Sequence, residues 1–131
     1  LLFIETARVL RPGGIFAVYD VMSIAENHPN FPVPWASTKA GSFLESPEKY
    51  RSAAEAAGFE LLAERARVEF ALEFFKKLKA DMEKNGPSQV GLHLVMGPDT
   101  PTKIKNMVDA IRAGWIAPVE MLFKKAPWQE N

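Results

Sequence analysis

Asp20 and Met22 close an apolar run, Ile15–Met22, and His28, Phe31 and Trp35 follow in a stretch with no regular period. A carboxylate at the end of an apolar strand either contacts a substrate or caps the next loop. An imidazole in a loop either orients or deprotonates a substrate near neutral pH, or is simply solvated. Aromatic faces such as Phe31 and Trp35 attract organic cations, and they equally well pack a loop onto its own protein. His93 lies between Leu92 and Leu94, a setting for a satisfied buried histidine as much as for a ligand contact. Tyr19 and Tyr50 are core or half-buried positions before they are site residues. With two histidines, no cysteine and no acidic cluster at ligand spacing, no metal site is expected. Thiol chemistry and a disulfide framework are excluded outright.

The elements that would hold these residues follow from periodicity. Leu2, Phe3, Thr6, Ala7 and Leu10 share one helical face. Arg11-Pro12-Gly13-Gly14 stops that helix, because Pro12 disfavours helix at Arg11 and the glycines admit positive φ. Ile15–Met22 is β-branched, aromatic and apolar on both faces, which predicts a strand covered on both sides in a parallel sheet. Residues 23–44, with Pro29, Pro32 and Pro34, are long for an unstructured connection, and such loops tend to be lids or binding loops.

Ser46-Pro47-Glu48 starts a second helix, with Tyr50, Ala53, Ala54 and Ala57 inward and Gly58 at its end. Phe59 to Val68 is a more polar strand, as expected near a sheet edge. Phe70, Ala71, Phe74, Phe75, Leu78 and Met82 recur at helical spacing, with Lys76, Lys77, Lys79 and Glu83 on the solvated face. Val90–Met96 is ambiguous. Thr100-Pro101 opens another helix, with Ile104, Met107, Val108 and Ile111 inward. Trp115–Lys124 closes the chain as a strand. Helices alternating with strands predict a layered α/β domain with a largely parallel sheet, whose ligands bind beyond the carboxyl ends of the strands.

Composition narrows the classes further. The chain has 131 residues, 47% hydrophobic and 24% charged, with sixteen basic side chains balancing sixteen acidic ones. That balance leaves no electrostatic footprint for nucleic acid or an anionic membrane. No apolar stretch approaches the roughly 20 residues of a membrane span, and no secretory signal is present, so a cytoplasmic location is expected.

Arg8-Val9-Leu10-Arg11-Pro12-Gly13-Gly14 after an amphipathic helix, followed by an apolar strand ending in Asp20, resembles class I S-adenosylmethionine-dependent methyltransferases. Ser46–Tyr50 through Ala57-Gly58-Phe59 resembles the helix leading to that family's sixth strand. The resemblance implies the C-terminal half of a Rossmann-like seven-stranded sheet, with Ile15–Met22 as the fifth strand. Trp115–Lys124 would be the seventh, antiparallel strand between the fifth and sixth. Residues 70–114 resemble the helical insertion of methyltransferases acting on small amines such as sarcosine and dimethylglycine. The chain would then be a single incomplete domain over residues 1–131.

The cofactor implied is S-adenosylmethionine, yet the family's glycine-rich loop and ribose-binding acid have no counterpart here. They are expected to precede Leu1, so the chain alone is expected to be inactive and to bind the cofactor weakly. The acceptor implied is a small molecule, an amine first, with Asp20, Met22, His28, Phe31, Trp35 and His93 as the substrate-side candidates. Phe31 and Trp35 would cover a methyl donor or a methylammonium. The alternatives are O- or C-methylation of a phenolic or quinone-type acceptor, and a non-catalytic α/β association module. No membrane or nucleic-acid partner is expected. A homodimer is, joined through the edge of strand 15–22.

Overall fold

The computed structural model describes residues 2–85 and 99–127. Its elements run α1 (Leu2–Val9), β1 (Ile15–Ser23), a 3-10 turn (Lys39–Gly41), α2 (Pro47–Ala56), β2 (Phe59–Ala66), α3 (Val68–Asn85), α4 (Thr100–Arg112) and β3 (Ile116–Lys125). The predicted Val90–Met96 segment, with His93, lies outside the described residues.

They form two compact units. The first holds α1, β1 through Met22, α2, β2 and β3 from Pro118. The second holds residues 23–44, α3, α4 and the connection to Ala117. Most of the predicted 70–114 segment therefore belongs to the second unit together with the 23–44 loop.

In the first unit the strands are ordered β1-β3-β2. β2 runs antiparallel to β3, from Phe59 opposite Lys125 to Ala66 opposite Val119, with an irregularity between Leu61 and Ala63. The start of β1 meets the end of β3: the Gly13 N–H donates to the Lys125 carbonyl at 2.8 Å, and the Lys125 N–H to the Gly14 carbonyl at 2.9 Å. In the second unit the Ile24 N–H, just past β1, donates to the Trp115 carbonyl at 3.0 Å. β1 is therefore antiparallel to β3 as well. Both neighbours of the central strand oppose it, so β1 and β2 run parallel to each other without being hydrogen-bonded neighbours. β3 sits between them, as the resemblance implied, and among the described residues every hydrogen-bonded strand pair is antiparallel where a largely parallel sheet was expected.

Local sequence explains the ends of the elements. Gly13 takes φ +80° in the turn after Pro12. A Cβ at Gly14 would stand 2.8 Å from the Arg11 carbonyl oxygen, so no larger residue fits without backbone movement. Ser46 caps α2, its hydroxyl accepting from the Lys49 N–H at 3.2 Å with Pro47 at the first turn. Pro118 lies near the start of β3 and uses only its carbonyl, which accepts from the Arg67 N–H at 2.8 Å.

The core of this unit is aromatic. Phe3 of α1 meets Phe123 of β3 edge-to-face, ring centroids 5.4 Å apart, and touches Phe16, Tyr50 and Phe59 at 6.0–6.2 Å. Phe16, Val18, Asp20 and Met22 share one face of β1 because side chains alternate along a strand. Ile15, Ala17 and Tyr19 are on the other face and exposed. The expectation of a strand covered on both sides is thus corrected: among the described residues, packing falls on the face that carries Phe16 and Val18. β2 lies at the sheet edge, as its polarity predicted, and of its residues only Phe59 is buried.

In the second unit α3 and α4 pack on each other. Ala71, Met107, Ala110 and Ile111 are buried there, whereas Phe70 and Phe74 are more than half exposed. The inward placement of those two phenylalanines does not hold. Phe75 and Leu78, on the predicted stripe, are half-buried, and with Leu72 they line a groove shared with Ile104 and Val108 of α4.

Candidate functional site

β1 delivers Asp20 near its carboxyl end, and the Ser46-capped start of α2 delivers Tyr50. The Tyr50 hydroxyl donates to Asp20 Oδ2 at 2.6 Å, and the Val21 N–H donates to Asp20 Oδ1 at 2.9 Å. Both carboxylate oxygens are engaged, while the side chain stays exposed. An ionised carboxylate has about four lone-pair sites, so two contacts leave room for a further donor. The geometry fixes Asp20 in one orientation, with its negative charge open to solvent.

Partial burial, the bond to Asp20 and the charges of Asp20 and Glu45 push the Tyr50 hydroxyl well above the usual phenol range. The folded chain thus holds the phenol proton more tightly than the unfolded chain. That contribution to stability is fully present below the unfolded value near 10 and is lost as pH rises above it. In a Tyr19→Phe background Tyr50 is the sole phenol, and its absorbance titration should run to higher pH than a free tyrosine. Adding Asp20→Asn should lower that midpoint; an unmoved midpoint would mean that the carboxylate does not act on the phenol.

The loop residues lie in the second unit. His28 is exposed, its Nδ1 3.1 Å from the Pro29 carbonyl, and its ring tilts against Phe31 with centroids 5.8 Å apart. Trp35 is half-buried and its Nε1 donates to Ser42 Oγ at 3.1 Å. Pro29 and Val33 are fully buried, Val33 and Ala36 exchange backbone bonds, and Asn106 of α4 donates to the Pro32 carbonyl at 2.8 Å. The stretch has little regular structure but is tied down at several points. Met22 has no exposed surface. Of the six candidates, Asp20 and Met22 belong to the first unit, His28, Phe31 and Trp35 to the second, and His93 lies outside the described residues. Only His28 and Phe31 are in ring contact with each other.

Tyr50 was legible as a helix residue but not as the partner of Asp20, because thirty residues separate them. The signal available was its place one turn after a Ser-Pro helix start, where a side chain lies beside the strand that the helix covers.

Structural comparison fixes the fold. A protein assigned as a sarcosine dimethylglycine methyltransferase from Galdieria sulphuraria matches at TM-score 0.66 and 23% identity, over 98% of this chain and 47% of its own. The fold is that of S-adenosylmethionine-dependent methyltransferases. A Haemonchus contortus phosphoethanolamine N-methyltransferase, solved with phosphomonomethylethanolamine and S-adenosylhomocysteine, matches at 0.64 and 16% identity, over 97% of this chain and 29% of its own. A mycolic acid cyclopropane synthase matches at 0.68 and 13% identity, over 95% of this chain and 51% of its own. The chain spans about half the length of the first of these methyltransferase-fold proteins or less. No protein-family model and no curated protein sequence matches it.

The double-glycine turn of this fold is not built as a ligand cradle. Gly13-Gly14 is the only double-glycine turn among the described residues, and its amides are consumed: Gly13 donates to Lys125 and Gly14 to Arg11, both at 2.8 Å. A phosphate- or nucleoside-type cradle needs such amides free to face a ligand. Among the described residues there is also no group of three or more potential metal ligands, and no helix is long and apolar enough to cross a membrane.

Proposed function

We propose that this chain is the acceptor-side part of an S-adenosylmethionine-dependent methyltransferase acting on a small molecule. The observation that carries this reading is the β1-β3-β2 sheet, with the last strand reversed between the other two, matched over nearly the whole chain by methyltransferase structures. The cofactor would be held by the portion of the relatives' length that this chain does not span, since the described glycine turn cannot cradle it.

An amine is the acceptor that Asp20 supports. A carboxylate held by Tyr50 and the Val21 amide is a fixed negative charge that attracts a methylammonium and positions it. His28 and Phe31, in mutual contact on the loop of the second unit, are the side chains we assign to covering the acceptor. O- or C-methylation of a phenolic or quinone-type acceptor is the second reading. A second copy of this chain is the partner we assign to the edge of β1, an outer strand in the β1-β3-β2 order; light scattering reads that assembly directly.

The test is methyl transfer from labelled S-adenosylmethionine by the longest natural polypeptide containing this sequence, with sarcosine, dimethylglycine and a catechol as acceptors. Transfer to the amines should fall at least tenfold in Asp20→Ala, about the worth of one charge-assisted hydrogen bond. Transfer to the catechol alone would favour the second reading, and transfer to none would leave an association module. Calorimetry of the 131-residue chain with S-adenosylmethionine should show no tight site. Saturable one-to-one binding would overturn the placement of the cofactor outside this chain.

A further inference from the structure

In the second unit, α3 and α4 leave between them an open groove of about 670 Å³. Its lining is two helical stripes. Leu72, Phe75, Lys79 and Glu83 follow one another at three- or four-residue steps along α3, with Lys76 one turn after Leu72, and Ile104, Val108 and Arg112 do so along α4. Residues at such steps share a face, so the groove is a continuous trough rather than a collection of gaps. Along α3 it runs from Leu72 to Glu83, roughly 16 Å at the helical rise. The volume lies in the range of about 300–1,000 Å³ typical of small-molecule sites.

The trough has two chemistries. Leu72, Phe75, Leu78, Ile104 and Val108 are half-buried and form the apolar floor. The charged side chains form the rim. Lys105 is committed to Asp109, Nζ to Oδ2 2.8 Å, and that pair cancels. Lys76, Lys79 and Arg112 have no carboxylate partner among the described residues, and Glu83 is the one acidic side chain opposing them. A floor that rejects water beneath a rim with surplus positive charge is complementary to a molecule with a hydrocarbon body and an anionic head. The stems of Lys76 and Lys79 add to the apolar wall while their ammonium groups stay in water.

We propose that this groove binds an amphipathic anion, a single hydrocarbon chain ending in a carboxylate. The site goes beyond methyl transfer: every lining side chain lies in the second unit, and none is Asp20, Tyr50, His28 or Phe31. A neutral apolar molecule would gain the floor but not the rim, and a cationic amphiphile would meet repulsion. A helix from a second copy would bring its own polar face against unpaired lysines.

The test uses the full chain, without S-adenosylmethionine, so a failure of methyl transfer and a failure of this site are separate results. Dodecanoate, dodecanol and dodecyltrimethylammonium are titrated below their micelle concentrations by competition with a fluorescent apolar dye. Dodecanoate should bind one-to-one and at least tenfold more tightly than dodecyltrimethylammonium, with affinity falling as salt rises. Lys79→Glu with Arg112→Glu, both on the exposed rim, should lose at least tenfold for dodecanoate and leave dodecanol unchanged. Val108→Asp should abolish both. Equal affinity for the two charged amphiphiles, indifference to the charge-reversed variant, absence of binding, or self-association that dodecanoate does not reverse would each overturn the proposal.

Discussion

Phe123→Ala should destabilise the first unit by about 3–5 kcal/mol, the usual cost of emptying an aromatic site in a packed core. Phe123 is 1% exposed on the central strand, meets Phe3 edge-to-face at 5.4 Å and lies 6.2 Å from Phe59. One ring thus joins α1, β3 and β2. Its removal deletes buried apolar area, two aromatic contacts worth about 0.5–1.5 kcal/mol each beyond that area, and the support of the neighbouring rings. Small domains have only about 5–15 kcal/mol in total, so the variant should be near unfolding at room temperature. Urea denaturation followed by circular dichroism measures this. Phe43→Ala, at a side chain 82% exposed, is the control and should shift stability by no more than about 0.5 kcal/mol. A Phe123→Ala loss below about 1 kcal/mol would show that the aromatic cluster does not hold the unit together.

Lys125→Met should be the next largest effect, about 1–3 kcal/mol. The Lys125 ammonium at the end of β3 donates to the Ala7 carbonyl and, at 2.6 Å, to the Leu10 carbonyl. These acceptors lie at the C-terminus of α1, where carbonyls lack helical partners and the dipole favours a cation. α1 has eight residues, too few to be stable alone in water, so it depends on packing and on this clamp. Methionine keeps the apolar stem and removes only the donors and the charge. Amide exchange in α1 should accelerate more than exchange in α2, alongside the lower urea midpoint. Unchanged exchange in α1 would sink the argument.

Element order, most boundaries and the methyltransferase resemblance were readable because they are local. A Ser-Pro helix start, glycines taking positive φ at Gly13, Gly58 and Gly114, and an apolar run between Gly14 and Ser23 all act within a few residues. The reversed position of the last strand came from the resemblance, not from any pattern in the strand itself. The exposure of Phe70 and Phe74 on α3 was not readable. Phe70, Phe74, Phe75 and Leu78 offer a helix more than one apolar stripe, and the fold half-buries Phe75 and Leu78 while leaving Phe70 and Phe74 more than half exposed. Lys76 and Lys79 are exposed, as the solvated-face pattern predicted, and they also line the rim of the groove.

The sequence by itself determined which segments are helices and strands, excluded thiol chemistry, and marked Asp20 at the end of a strand. Only the tertiary structure decided that Asp20 is held by Tyr50, that Lys125 closes α1, and that Ile15 and Tyr19 stay exposed although their strand is apolar throughout. Propensity, capping and periodicity are properties of neighbouring residues. Hydrogen-bond partners and burial depend on which distant elements reach a side chain first, and no spacing along the chain encodes that.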